Sequence, residues 1–446
     1  MAQLGILFSV DKLPSLGYNK SGLFHRHVTE NEQGELVRTL YQPTSTQYHL
    51  NYLIEHCIFA VAFFLPLSLD VTSIFLWAGC LLWFGKMAVA RQIHVKRTPF
   101  DRAVIALVVL AAASVLGSPD RGFSFYNYYH LMGRYILVYY LVINNIHSLE
   151  QVKRLVYSLL AAALVVAAYG FYQYIHGMDI SAFEWVDGEQ FPDLKVRIFS
   201  TLKNPNLLAG FLVVVMALAA GLGLCSEKLL YKCGLLSLVL ILGCCLVLTY
   251  SRGAWLSVLA VCAAYGVLYN RKIFWFLLLV PLVIIYGYDG VMDRLASILN
   301  PTDTSSTLRL ALWESTLAMI MDKPILGIGW GAYWLVYPEY DFFVQNTATT
   351  IYHAHNMYLH IAAEIGLPGL AAFLVIMYGH ARLALSVVNE TSNRWINGLM
   401  LGAVSALLGL AVSGFTDYVM YNIQMSMLFW LLNALVVIVW QAKYRY

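Results

Sequence analysis

Three stretches hold residue types able to do chemistry in an otherwise apolar chain. The first is Arg252, with Ser251 and Gly253 on either side, at the junction of two apolar runs. A lone arginine there has an ordinary reading, in which it snorkels to lipid headgroups. Its neighbours favour another, because a tight reversal exposes backbone donors beside a permanent cation. A planar guanidinium matches phosphate oxygens as a fork, so a lipid-linked pyrophosphate is a suitable ligand. The second is Arg134, inside an apolar run, where a charge is costly and is expected to face the protein interior or a wet cavity.

The third stretch runs from His353 to Gly369 and contains His355, Asn356, His360, Glu364 and Gly366. His353 and His355 are two apart and His360 lies five further on, a spacing that fits no helical ligand pair, and no cysteine is near, so no metal is expected. His355 suits a neutral base or a hydrogen-bond donor, since an imidazole titrates close to neutrality. Glu364 either orients it or caps the local structure. Gly366 and Gly369 permit a tight break in the chain. Asp417, near the end of an apolar run, either holds an arginine or is a surface loop residue.

These residues need a scaffold, and the composition says which. Of 446 residues, 60% are hydrophobic and 12% charged, against about a quarter charged in a soluble domain, so lipid is the main solvent. A net charge of +3 gives no reason to expect a nucleic-acid partner. The seven cysteines lie in apolar runs or beside short basic loops, which argues against a disulfide framework.

Runs of about twenty apolar residues predict an all-α integral membrane protein with about twelve spans. Residues 1–49 form a tail, and residues 50–288 hold nine spans, the ninth at Ile273–Tyr288, with a polar loop at 177–206. Residues 289–366 form a large loop, and 367–446 hold the last three spans. Within the large loop a helix is expected, with Thr304, Ser305 and Ser306 as N-caps, Leu308, Ala311 and Leu312 as its apolar stripe, and Pro324 as its stop. With both termini inside, about nineteen of the 28 basic residues lie on the inner side, as the retention of Lys and Arg in the cytoplasm requires. Both long loops then face outward.

The motifs resemble the O-antigen ligase and polymerase family, bacterial membrane glycosyltransferases that act on undecaprenyl-pyrophosphate-linked glycans. The ligase hallmark H-[NSQ]-x9-G-x-x-G is met by His355, Asn356, Gly366 and Gly369. Asn204-Pro-Asn206 is similar to a family segment that leads into a span. Arg309 followed by Trp313, and Pro324 followed by Gly327 and Gly329, are similar to the segments preceding the family's histidine.

The resemblance implies a GT-C-like fold in the bacterial inner membrane and an inverting transfer without metal or cofactor. It implies His355, Arg252 and Arg309 as catalytic residues, with Arg134, Arg252 and Arg309 on the pyrophosphate and Asn356, Glu364, Gly366, Gly369 and Asp417 in support. The donor would be an undecaprenyl-pyrophosphate-linked glycan, and the acceptor a lipid A-core sugar or a second lipid-linked glycan. The ligase reading is taken first because the histidine hallmark is complete. A polymerase of the same family is the alternative. An anion transporter is a weaker one, since it should show paired broken helices at mid-membrane.

Overall fold

The computed structural model describes residues 45–177, 197–275, 304–341 and 350–443. The N-terminal tail up to residue 44, most of the 177–206 loop and all but the first residues of the expected span Ile273–Tyr288 lie outside the described residues. The chain divides into two compact units, Met1–Tyr48 and His49–Tyr446. In the first, the described residues are the opening turn of a helix. The second contains everything below.

The described residues are helical, with no strand among them. In chain order the helices are α1 (Ser45–Phe64), α2 (Leu69–Ala90), α3 (Asp101–Ser114), α4 (Arg121–Asn127), α5 (Gly133–Asn145), α6 (Leu149–His176), α7 (Pro205–Cys225), α8 (Leu229–Val247) and α9 (Arg252–Leu268). They continue with α10 (Thr304–Asp322), α11 (Tyr333–Val336), α12 (Met357–Glu390), α13 (Arg394–Ser413) and α14 (Ile423–Lys443). Helices are what such sequences form in lipid, because every backbone polar group must be satisfied within its own segment.

Seven helices among the described residues are long and apolar enough to cross a membrane, namely α2, α6, α7, α8, α12, α13 and α14. The other expected spans that are described also fall on helices, but short or polar ones. The 14 residues of α3 rise only about 21 Å at ~1.5 Å per residue, less than the ~30 Å hydrocarbon core. The expected span Tyr128–Asn145 is one part of a longer bent rod. There α4 runs through a π-helical turn at Tyr128–Met132 into α5, a bulge of the kind that bends helices.

Local sequence sets the ends. Asn204 caps α7 by accepting from the amides of Asn206 and Leu207, with Pro205 in the first helical position. Ser148 and Gln151 close a capping box on α6. The centre of the bundle is α7 against α13. Their backbones approach closely where Gly221 meets Gly398 and where Gly402 meets Leu218, the small-residue packing that membrane helices use in place of a hydrophobic drive. Helix α9 packs on α13, α3 on α12, and α5 on α14.

Candidate functional site

The glycines of the hallmark are explained by where the chain breaks. Asn356 caps α12 by accepting from the amides of Tyr358 and Leu359, and the helix runs to Ile365 before Gly366 takes a non-helical φ of 74°. The break frees the carbonyls of Ala363 and Glu364, which accept from the amides of Ile328 (2.8 Å) and Gly329 (3.1 Å), while the Leu367 amide donates to Pro324 O (2.8 Å). The segment after α10 is thereby stitched onto α12. A Cβ on Gly366 would overlap the Ile325 carbonyl, and one on Gly327 would overlap the Glu364 carbonyl. Both have positive φ as well, so glycine is needed twice over.

His355 sits on the turn leading into this helix with φ 46°, a left-handed conformation that costs a non-glycine residue energy. Its neighbours hold it there. Met357 N donates to Gly414 O (2.8 Å), Asn356 Nδ2 to Phe415 O (3.4 Å), and Ala354 N to His360 Nδ1 (3.4 Å). The turn is therefore fastened to the loop after α13. That loop supplies Asp417, whose Oδ1 lies 3.2 Å from His355 Nδ1 and accepts from the amide of Tyr418 at 2.7 Å.

Asp417 is not a free surface residue. Its other oxygen, Oδ2, accepts from Asn206 Nδ2 (2.8 Å) at the start of α7, and Asn206 Oδ1 accepts from Arg197 at 3.4 Å. Arg197 Nε also donates to the carbonyl of Thr249 (3.0 Å), three residues before Arg252. Arg252 opens α9, and a Cβ on Gly253 would overlap the Thr416 hydroxyl beside Asp417. From α10, the positive charge of Arg309 acts on both His353 and Asp417. Asp417, the partner of His355, is thus tied to the start of α7, and through Arg197 to the segment that leads into α9.

Burial alone would raise the Asp417 carboxyl, but the hydrogen bond from His355 and the positive charge of Arg309 counter it, and the group is held well below the usual carboxylate range. Asp417 is an anion at neutral pH, so it accepts a proton-bearing Nδ1 from His355 and leaves Nε2 with the lone pair. Burial and the neighbouring His355 push His353 down to about 3, so it stays neutral.

His353, His355 and Asp417 also bring one ligand atom each within 4.8 Å of one another, a convergence the spacing of the histidines does not reveal because Asp417 comes from a distant loop. Some of their ligand atoms already serve in hydrogen bonds. His353 Nδ1 takes the His355 amide at 3.3 Å, and both oxygens of Asp417 are engaged. A metal would have to displace these bonds.

This turn, with Arg252 and Arg309, lies in one contiguous stretch that is similar to a known family. Residues 237–374 match the O-antigen ligase family. No curated protein matches the chain. The match covers less than a third of the 446 residues, and the family's members are glycan-transferring enzymes. Within the O-antigen ligase segment lie Arg252, Arg309, His355, Asn356, Glu364, Gly366 and Gly369. Arg134, Asn206 and Asp417 lie outside it.

Glu364 faces away from His355. Its Oε1 is 3.2 Å from His360 Nε2 and accepts from the Tyr333 amide at 3.3 Å. The carboxylate therefore braces His360, which in turn receives the Ala354 amide of the His355 turn. Glu364 also lines a cavity of about 70 Å³ with Tyr135, Trp330, Tyr418, Tyr421 and Ser426. The Trp330 indole N–H is buried there without a hydrogen-bond partner among the described residues. Arg134 is half-buried on α5, next to Tyr135 of the cavity wall. Among the described residues no contact brings Arg134 to His355: Asp417 pairs with His355, Arg309 acts on Asp417, Arg252 opens the helix whose Gly253 meets Thr416, and Arg134 stands beside the cavity.

His353, His360, Asn206 and Arg197 were not among the expected site residues. His360 and Glu364 had a legible signal, since residues four apart share a helix face. For Asn206 and Arg197 the sequence offered none beyond the Asn-Pro-Asn segment.

Proposed function

We propose that this protein transfers a glycan from undecaprenyl pyrophosphate to the hydroxyl of an acceptor sugar, as an O-antigen ligase with a lipid A-core acceptor. The observation that carries the reading is the His355–Asp417 pair, with His355, Arg252 and Arg309 inside the stretch that matches the O-antigen ligase family. Asp417 holds Nδ1–H, and Nε2 takes the proton of the acceptor hydroxyl as its oxygen forms the new bond to the anomeric carbon. The bond from that carbon to the pyrophosphate oxygen breaks, and undecaprenyl pyrophosphate leaves with the electron pair. Opposite-face attack inverts the anomeric centre. Arg252 and Arg309 match the charge developing on the leaving group, the role a divalent ion would otherwise take.

The full span count is about twelve in a GT-C-like arrangement. The His355 end faces outward in the bacterial inner membrane, with both termini cytoplasmic. What supports that orientation is the excess of Lys and Arg in the opposite set of loops.

Purified protein with EDTA, an undecaprenyl-pyrophosphate-linked glycan and lipid A-core should give a single addition to lipid A-core. A ladder growing on the lipid carrier would make the enzyme a polymerase. Loss of transfer on chelation would overturn the metal-free mechanism.

A further inference from the structure

At the opposite end of α13 from His355, a second cleft opens among the starts of α6, α8 and α13, with a volume of about 420 Å³. Three cations line it: Lys153 from α6, Lys228 at the start of α8 and Arg394 at the start of α13. Two acids, Glu150 and Glu227, line it as well, so the three cations exceed the two carboxylates by one. The acids are engaged in loose pairs, Lys153–Glu150 at 2.6 Å and Arg394–Glu227 at 2.9 Å, and in each pair the carboxylate side chain is 67% exposed. Such solvent-screened pairs bind weakly, so both cations can turn to a stronger anion.

Aromatic rings hold the cations in place. Lys153 Nζ lies 5.9 Å from the Trp395 ring, Lys228 Nζ lies 5.8 Å from the Tyr231 ring, and the Trp395 indole donates to Tyr157 O–H at 3.2 Å. Lys228 gives α8 no side-chain cap, which leaves the first amides of that helix to other acceptors.

The outer wall of the cleft shows where its ligand comes from. Leu229, Leu230 and Tyr231 of α8 are exposed, Leu230 to 84%, and α8 is among the least buried of the membrane-spanning helices. A cleft with cations inside and bare aliphatic surface alongside fits an amphiphile, its phosphate among the cations and its acyl chains along α8. Basic pockets between spanning helices favour anionic headgroups for this reason.

We propose that this cleft is a binding site for one anionic phospholipid, recognised by the net negative charge of its headgroup and distinct from the glycan-transfer site. In native mass spectrometry of the full chain from mixed micelles, phosphatidylglycerol should be retained at one molecule per chain and phosphatidylcholine should not. The combined variant Lys153→Gln, Lys228→Gln, Arg394→Gln should weaken phosphatidylglycerol binding at least tenfold. The control Arg102→Gln should leave it unchanged.

Removing the competing acids, Glu150→Gln with Glu227→Gln, should tighten binding instead, a gain that misfolding cannot produce. Equal retention in the cation variant, or no gain in the acid variant, overturns the site. Displacement of the lipid by millimolar inorganic phosphate would make it a water-fed anion site and overturn the lipid assignment. The result is independent of glycan transfer, since no residue of this cleft belongs to the His355 cluster.

Discussion

The central helix pair and the outer helices of this bundle solve different problems. Helices α7 and α13 are mostly buried and meet backbone to backbone through Gly221, Gly398 and Gly402, whereas α2 and α8 bury less than a quarter of their apolar stretch. The candidate site draws its distant partners from the central pair: Asn206 stands on the first turn of α7, and Asp417 follows the end of α13. The two residues are therefore carried by the two helices that pack most extensively on each other among the described residues. Strain gathers at the same end. Of the five non-glycine residues with positive φ among the described residues, Ser200, Lys203, Tyr250 and His355 lie in segments beside the site, and Arg91 lies elsewhere. The lesson is that unfavourable backbone at His355 is tolerated because the scaffold beneath it does not give.

That contrast predicts that changes at the site should alter transfer alone, changes in the central pair should alter stability, and changes on the rim should alter neither. The largest effect is expected for His355→Ala, a fall in kcat of about 10²- to 10⁴-fold, the usual range for a general base, with thermal stability in detergent unchanged. Full activity in this variant would remove the histidine from the mechanism. Asp417→Asn should lower kcat by about 10²-fold with little change in KM. It loses the anion that fixes the His355 tautomer but keeps an oxygen that can accept. A loss confined to KM would instead make Asp417 a binding residue.

Part of this was legible in the sequence. The apolar runs fall on helices because lipid leaves the backbone no other choice, and the hallmark located His355, Asn356, Gly366 and Gly369 because a helix cap and a forced break need those residue types. The partners of His355 were not legible in the same way. Asp417 is 62 residues away from it, and Asn206 is 211 residues from Asp417, contacts made by the packing of whole helices that no local pattern records. Glu364 illustrates the reverse. Its nine-residue distance from His355 suggested a partnership, but the helical turn between them points it to His360.

Acid should also separate the site from the bundle. His353 is held neutral down to about 3, while an unfolded histidine binds a proton near its ordinary value of ~6.5. Below that value the unfolded state binds more protons than the folded one, so stability falls as pH drops from about 6.5 toward 3. Thermal unfolding between pH 7 and pH 5 should therefore show a falling midpoint, and His353→Gln should flatten the slope. An unchanged slope in the variant would assign the acid sensitivity to other groups.

The smallest effects should come from a pair of identical substitutions that compare the two regions directly. A Cβ on Gly398 would stand 2.6 Å from the Gly221 carbonyl oxygen of α7, whereas one on Gly234 of α8 has nothing within 4 Å. Gly398→Ala forces two backbones apart, and overpacking of that kind costs about 1–3 kcal/mol. Gly234→Ala gains the helix preference of alanine, about 0.5–1 kcal/mol, and meets no obstacle. The first should lower the unfolding midpoint and the second should hold or raise it, with transfer per folded molecule intact in the second. Equal tolerance at both positions would mean that α7 and α13 can separate without cost, and the rigid support for the strained turn at His355 would have to be sought in another pair of helices.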